Sequence, residues 1–137
     1  MTRDHEALTV YLDGRLTMPF TWGRRANDCV SFGLGAVKAQ TGRDLVRELR
    51  RAGFDVDWNT AIGAARVLRR LGGIAAAFDR VLPVIETGAA LRGDLGLVEG
   101  EAGRLLVVVE GATVVGPGPA HAVRFPRSPL IRAWSLD

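Results

Sequence analysis

Cysteine and histidine are scarce in this sequence of 137 residues, which contains one cysteine, Cys29, and two histidines, His5 and His121. A single cysteine excludes an internal disulfide framework. It also excludes the usual structural zinc sites, which take four cysteine or histidine ligands. We therefore expect no metal site. We expect residues 1–137 to form a single domain, because a chain of this length buries a substantial core but is too short for two ordinary domains.

The sequence also lacks long apolar runs and a strong excess of charge. Its 18 basic and 15 acidic residues leave a net charge of +3, which predicts neither a nucleic acid partner nor a membrane surface. The longest apolar stretches, residues 72–78 and 105–109, fall far short of the roughly 20 residues that span a bilayer. The N-terminal residues lack the positive end and apolar run of a signal peptide, so we expect neither a signal peptide nor membrane insertion.

Hydrophobic patterning divides the chain into a helical first half and a second half of short strands. Such a division predicts an α+β domain in which N-terminal helices pack on a small, mostly antiparallel β-sheet. The predicted helices cover residues about 4–14, 29–42, 44–51, 60–71 and a short segment from 74 towards Pro83. The predicted strands lie in the segments DLGLVEG, RLLVVVEG, ATVVG, HAVRF and IRAWSL.

Capping residues mark the ends of two of these helices. Asn27 or Asp28 can cap the second helix, and Gly42 is placed to end it. Asp57 or Asn59 can cap the fourth helix. We expect that fourth helix to be held by its apolar positions, which are Ile62, Ala65, Val67, Leu68 and Leu71.

Cys29 is the residue best placed for chemistry, because the second predicted helix starts almost at its position. A thiol in the first helical turn faces the positive end of the helix dipole and unpaired backbone N–H groups. We therefore expect its pKa to fall. The resulting thiolate can attack a carbonyl carbon while the free N–H groups stabilise the oxyanion. The alternative is that Cys29 is a small buried hydrophobic residue.

The surroundings of Cys29 are distinctive in sequence. They comprise Pro19, Phe20, Trp22, Gly23, Asp28 and Cys29, followed by Phe32 and the stretch AVKAQTGRD. This run resembles the nucleophile segment of the NlpC-type, papain-like cell-wall cysteine peptidases, and within them a small branch encoded in phages and prophages. The likeness continues through FDVDWNTAIGAARVLRRLGG, at a Gly-Asp turn formed by Gly93 and Asp94, and at Ala133 and Trp134.

The resemblance implies a papain-like fold and hydrolysis of peptidoglycan stem peptides by a Cys29 thiolate. It further implies a protein made in the host cytoplasm and carried in the virion tail, where its partners are peptidoglycan and other tail-tip or hub proteins. A thiol–imidazole mechanism needs no cofactor. In the family, the catalytic histidine lies near the start of the strand that follows the Gly-Asp strand. The corresponding stretch here, RLLVVVEG, contains no histidine, and Leu105 or Leu106 occupies the place.

Two readings of the function follow from this difference. In the first, His121 acts as the general base or orients one, because it lies near the position of the third polar residue of the family site. Phe20, Trp22 and Asp28 then shape the site, although the aromatic rings can equally belong to the core and Asp28 can act as the helix cap or fix the preceding loop. In the second, His121 is an ordinary surface histidine, and the chain is a catalytically inactive structural component of a phage or phage-like tail.

Overall fold

The structure, a computed structural model, describes residues 3–100 and 103–137. The helices in this part of the chain are α1 (His5–Arg15), α2 (Cys29–Thr41), α3 (Leu45–Arg51), α4 (Ala61–Leu71) and α5 (Ile74–Asp79). The strands are β1 (Val84–Ile85), β2 (Leu95–Gly100), β3 (Gly103–Val109), β4 (Thr113–Pro117), β5 (Ala122–Pro126) and β6 (Leu130–Trp134). The predicted α+β class is confirmed. The sequence pattern did not predict β1, because two residues are too few to show an alternation.

The six strands form one antiparallel sheet in the order β1-β6-β2-β3-β4-β5. Strands β2 and β3 make a long hairpin, paired from Leu95 opposite Val108 to Gly100 opposite Gly103. Strands β3 and β4, in contrast, are paired only where Val108 and Val109 meet β4. Within the described residues, the first residues of β3 therefore have no paired residue on β4, although Gly116 of β4 still lies close to Leu106 and Val107.

Helix α2 begins and ends where the capping residues predict. The Oδ1 atom of Asp28 accepts a hydrogen bond from the backbone N–H of Ser31 at 2.8 Å. Gly42 ends the helix in the left-handed region, with φ of 74°, a conformation that glycine adopts without steric cost. Cys29 is consequently the first helical residue.

Helix α4 begins with a different cap from the two that the sequence suggests. Thr60 is the N-cap, and its hydroxyl accepts a hydrogen bond from the backbone N–H of Gly63 at 3.0 Å. The prediction of Asp57 or Asn59 is wrong. Asp57 instead forms an ion pair with Arg24 at 3.1 Å, so its carboxylate is engaged in a tertiary contact.

The buried face of α4 also differs from the predicted one. Ile62 is 68% exposed and Ala65 lies on the solvent side, although both were expected at apolar positions of the helix. The buried residues of α4 are Ala64, Val67 and Leu71. Because these three follow helical spacing as well, the apolar stripe is rotated from the predicted one rather than lost.

The two faces of the sheet carry separate apolar clusters, because side chains alternate along each strand. On one face Leu95, Leu97, Leu106 and Val108 pack against the helices. The opposite face has its own cluster, which consists of Ala90, Val98, Val107, Val109, Val114, Leu130 and Ala133. Strand β3 is thus buried on both faces and forms the centre of the domain.

Helix α2 crosses the sheet close to β3, and a glycine makes this approach possible. A Cβ atom placed on Gly33 would lie 2.5 Å from the Cδ2 atom of Leu106, a distance that a real side chain could not adopt without movement. This packing brings the start of α2, and with it Cys29, against the first half of β3. None of the helices in the described residues combines the length and apolar character of a membrane span.

Candidate functional site around Cys29

The Cys29 thiol lies where the start of α2 meets β3. The residue is 7% exposed, and the backbone of Leu106 is within hydrogen-bonding reach of the thiol. Leu106 belongs to the stretch in which the resemblance expects a histidine. Its own side chain points towards Gly33 of α2 and is buried. The thiol therefore meets a main-chain group and an apolar residue at this place.

The electrostatics of the thiol contradict the sequence prediction. Burial raises the pKa of Cys29 above its ordinary value, and the negative charge of Asp28 raises it further. Hydrogen bonding from the backbone of Leu106, Val30 and Cys29 itself acts in the opposite direction but does not outweigh burial. The expectation that the helix dipole lowers this pKa is thus wrong. Burial away from water destabilises the thiolate more than the N–H groups at the helix start stabilise it. The thiol is neutral at neutral pH.

Asp28 combines the two roles that the sequence left open. Besides capping α2 through Oδ1, it accepts hydrogen bonds at Oδ2 from the backbone N–H of Gly23, at 3.0 Å, and from the indole N–H of Trp58, at 2.7 Å. The hydroxyl of Ser31 donates to the Gly23 carbonyl at 2.9 Å. Asp28 is 1% exposed, so its carboxylate holds the loop, the helix start and Trp58 together.

Phe20 and Trp22 lie beside Cys29. Their rings meet edge to face with centroids 4.8 Å apart, a favourable geometry for aromatic side chains. Phe20 is tied to the turn before β5, because its backbone N–H donates to the carbonyl of Gly118 at 2.8 Å. Trp22 is 47% exposed, so one edge of this pair faces solvent.

A cavity of about 620 Å³ opens beside these residues and extends between the helices. Its wall includes Phe20, Trp22, Asp28 and Cys29, which were singled out from the sequence. The deeper wall consists almost entirely of apolar side chains from α2, α3, α4 and α5, among them Leu34, Val46, Leu49, Ala64, Val67, Leu71, Ala77 and Phe78. The cavity is partly open to solvent, and its volume lies within the range of roughly 300–1,000 Å³ that is typical of ligand pockets.

Arg104 and Trp58 also line the cavity, and sequence reasoning missed both. Arg104 is in β3, and Trp58 lies between α3 and α4. Neither has a local motif that marks it. The only signal for Trp58 was its place in the segment FDVDWN, which the resemblance includes without giving it a role.

His121 lies outside the wall of this cavity. Strand β5 begins at Ala122, so His121 belongs to the preceding turn, whereas the sequence placed it at the strand start. Its ring is exposed, and the Nδ1 atom lies 2.8 Å from the carbonyl oxygen of Ala122. Gly118 and Pro119, earlier in the same turn, do line the cavity.

The structure therefore brings four of the five predicted site residues together and leaves His121 apart from them. No hydrogen bond joins an imidazole to the Cys29 thiol within residues 3–100 and 103–137. The same residues contain no group of three or more His, Cys, Asp or Glu side chains placed to hold a metal ion. The chemistry available at the site is that of a neutral thiol at the edge of an apolar cavity.

The loop, the start of α2 and the whole cavity wall lie within a single segment, residues 2–136, that matches one family of proteins. No curated protein and no solved structure matches the chain. Both histidines also fall inside the matched segment. The protein belongs to the family described as a domain of unknown function, DUF6950.

Proposed function

We propose that this protein is a papain-like, NlpC-type domain that serves as a non-hydrolytic component of a phage or phage-like tail. One observation carries the proposal: Cys29 occupies the first residue of a helix packed on an antiparallel sheet, yet its thiol meets the Leu106 backbone rather than an imidazole. The helix-first cysteine and the order of helices and strands support the papain-like origin. The tail location is supported by the resemblance around Cys29.

The lack of hydrolysis follows from the state of the thiol. Attack on an amide needs a thiolate, and burial together with the Asp28 charge keeps the proton on Cys29. A positioned general base normally contributes roughly 10²- to 10⁴-fold to such a reaction. Asp28 does not supply this base: it acts on the thiol through its charge and not through a hydrogen bond, and its two oxygens accept three hydrogen bonds from other groups.

A second candidate function, peptidoglycan endopeptidase, is favoured by one observation. The turn that carries His121 borders the cavity through Gly118 and Pro119, and the backbone N–H of Gly118 donates to the His121 carbonyl at 3.0 Å. In this candidate, a shift of the turn brings the imidazole to the thiol. His121 then takes the thiol proton, Cys29 forms a thioester as the amide C–N bond of the stem peptide breaks, and the imidazolium protonates the leaving amine. Water then hydrolyses the thioester, which releases the acid product and restores the thiol.

Incubation of the purified protein with isolated peptidoglycan distinguishes the two candidates. Soluble stem peptides are measured by mass spectrometry for the wild type, Cys29→Ala and His121→Ala. We expect the three proteins to release the same background amount. Release by the wild type that disappears in both variants would establish the peptidase and overturn the non-hydrolytic proposal.

The tail location is tested separately. Phage or tail-like particles are induced from a producing strain, purified on a density gradient, and analysed for this chain by quantitative mass spectrometry. We expect the chain at a fixed ratio to the other tail proteins. Its absence from intact particles would contradict the tail role, whatever the outcome with peptidoglycan.

A further inference from the structure

We propose that the cavity beside Cys29 binds an amphiphile with a single apolar chain and a carboxylate head, the chemistry of a fatty acid. The chain lies between helices α2, α3, α4 and α5, and the head lies at Arg104 near the start of β3. This ligand site goes beyond the tail role and does not depend on it.

The size and lining of the cavity indicate the apolar part of the ligand. Its volume of about 620 Å³ falls within the range of roughly 300–1,000 Å³ that is typical of small-molecule sites. A dry apolar cavity of about 150 Å³ accepts benzene, so a cavity four times as large has room for about 20 carbon atoms. Because the deep wall offers almost no polar side chain, it suits a hydrocarbon chain better than a sugar or a peptide backbone.

The polar end of the cavity indicates the charge of the head. Two charged residues line the cavity, Asp28 and Arg104. Asp28 is buried, and its two oxygens together accept three hydrogen bonds from the protein, so most of its acceptor sites are already used. Among the residues that the structure describes, the ion pair of Arg104 is the one with Glu99. It is long, at 3.7 Å, and joins two side chains that are more than half exposed, so it is weak enough for Arg104 to exchange it for a bound anion.

The position of Arg104 fits a head group next to the thiol. Side-chain alternation puts Arg104 on the same face of β3 as Leu106, whose backbone hydrogen-bonds Cys29. A guanidinium binds a carboxylate through two parallel hydrogen bonds. The half-exposed Trp22 is also part of the cavity wall, which gives the hydrocarbon chain of the ligand an entrance from solvent. The Cys29 thiol beside the first carbons of the ligand is neutral, and the nearby negative charge of Asp28 is stabilised by three N–H donors of the protein.

Fluorescence titration with cis-parinaric acid tests the site, since this carboxylate probe emits when its chain enters an apolar environment. We expect saturable binding of one probe per protein, at concentrations below those at which the probe forms micelles. Dodecanoate should displace the probe, dodecanol should do so at least 3-fold less well, and dodecyltrimethylammonium should be the weakest competitor. Absence of saturable binding, or equal displacement by all three, would overturn the proposal.

Two neighbouring alanines of α4 provide a matched pair of variants. Ala64→Leu fills the cavity, because Ala64 lines it, whereas Ala65→Leu adds the same atoms on the solvent side. We expect the first variant to weaken probe binding at least 10-fold and the second to leave it unchanged. Equal binding by both would place the probe elsewhere and refute the site. Ala77→Leu, on α5, fills the cavity from another side and replaces Ala64→Leu if circular dichroism shows that the latter is unfolded.

Arg104→Gln tests recognition of the carboxylate head separately from binding of the hydrocarbon chain. We expect it to weaken dodecanoate binding about 5-fold and to leave dodecanol binding unchanged. Arg124→Gln is the matched control, because Arg124 is a paired surface arginine in β5 that does not line the cavity. Equal loss of dodecanoate and dodecanol binding in Arg104→Gln, or an equal effect of Arg124→Gln, would refute the proposed role of Arg104.

Discussion

Two buried aspartates, Asp28 and Asp94, hold opposite ends of this domain in different ways. Each is 1% exposed. Asp94 accepts hydrogen bonds from the backbone N–H groups of Leu91 and Leu136, at 2.7 and 3.1 Å, and forms an ion pair with Arg3 at 2.8 Å. Asp28 has three N–H donors and no cationic partner. The carboxylate at the cavity is thus stabilised by dipoles alone, and the one at the far end by a charge as well.

The difference shows why only one of these ends is a candidate site. Asp94 ties the Gly93–Asp94 turn to the two ends of the chain, and that region is filled by its own partners. Asp28 fixes a loop, a helix start and an indole around a space that the protein does not fill. Buried carboxylates in this fold are therefore structural, and the neighbouring cavity is the feature that indicates ligand binding.

Replacing Asp94 gives the largest expected loss of stability. Asp94→Ala leaves the mostly buried Arg3 guanidinium without its buried partner, and we expect the free energy of unfolding to fall by about 3–5 kcal/mol. Urea unfolding followed by circular dichroism measures this change. Asp137→Ala is the control, since it removes the exposed partner of Arg3 and should cost less than about 1 kcal/mol. Equal effects of the two substitutions would contradict the role given to Asp94.

Asp28→Ala should lower the free energy of unfolding somewhat less, by about 3 kcal/mol. It removes a helix cap and leaves two further buried N–H donors unpaired, but it leaves no buried charge without a partner. The measurement is the same urea titration, with the emission of the tryptophans recorded to detect release of Trp58. Asp44→Ala, which removes the exposed cap of α3, is the matched control and should cost about 1 kcal/mol. If Asp28→Ala lowers the free energy of unfolding no more than Asp44→Ala does, the loop and Trp58 do not depend on Asp28.

Gly33→Ala tests how tightly α2 is held against β3 at the cavity end. The added methyl group meets the Cδ2 atom of Leu106, and such overpacking typically costs about 1–3 kcal/mol. Gly14→Ala, in α1, meets nothing within 4 Å and should stabilise the protein by about 0.5–1 kcal/mol, because alanine favours a helix. Thermal unfolding compares the two. A neutral result for Gly33→Ala would mean that Leu106 moves aside without a measurable loss of packing.

The smallest expected effect concerns the protonation of Cys29. Because its pKa is raised in the folded state, the folded protein holds this proton to higher pH than the unfolded chain does. The resulting stability is fully present below the pKa of the unfolded thiol and is lost as the pH rises through the folded pKa. In the Cys29→Ala variant, unfolding free energy should lack this decline at alkaline pH.

Alkylation measures the same pKa directly. The rate at which iodoacetamide modifies Cys29, followed by mass spectrometry, should rise only at higher pH than in the protein unfolded by guanidinium chloride. A midpoint below that of the unfolded thiol would reverse our conclusion and restore the activated thiolate that the sequence predicts.

Local signals in the sequence predicted most of the secondary structure. The start of α2 was predicted because a cap acts between residues three positions apart, as Asp28 and Ser31 do. The cap of α4 was predicted wrongly, since several polar residues precede that helix and the distant Arg24 decides what Asp57 does. Ile62 was placed on the wrong side because helical spacing alone permits more than one apolar stripe.

The candidate site was predicted in part for the same reason. Phe20, Trp22, Asp28 and Cys29 were recognised together because they are close in sequence, and they also line one cavity. Arg104 and Trp58 come from distant segments, and no local pattern joins them to Cys29. The position of His121 depends on where a turn ends and β5 begins, which a sequence pattern does not define to within one residue.

The sequence by itself determined the order of helices and strands, the helix-first position of Cys29 and the absence of a histidine from the stretch RLLVVVEG. These depend on residue identity and on interactions along a few neighbouring positions. The tertiary structure alone decided the raised pKa of the thiol, the cavity beside it and the exposure of His121. Desolvation and cavity volume depend on how α2 packs on β3, two segments far apart in the chain, and no local pattern contains that information.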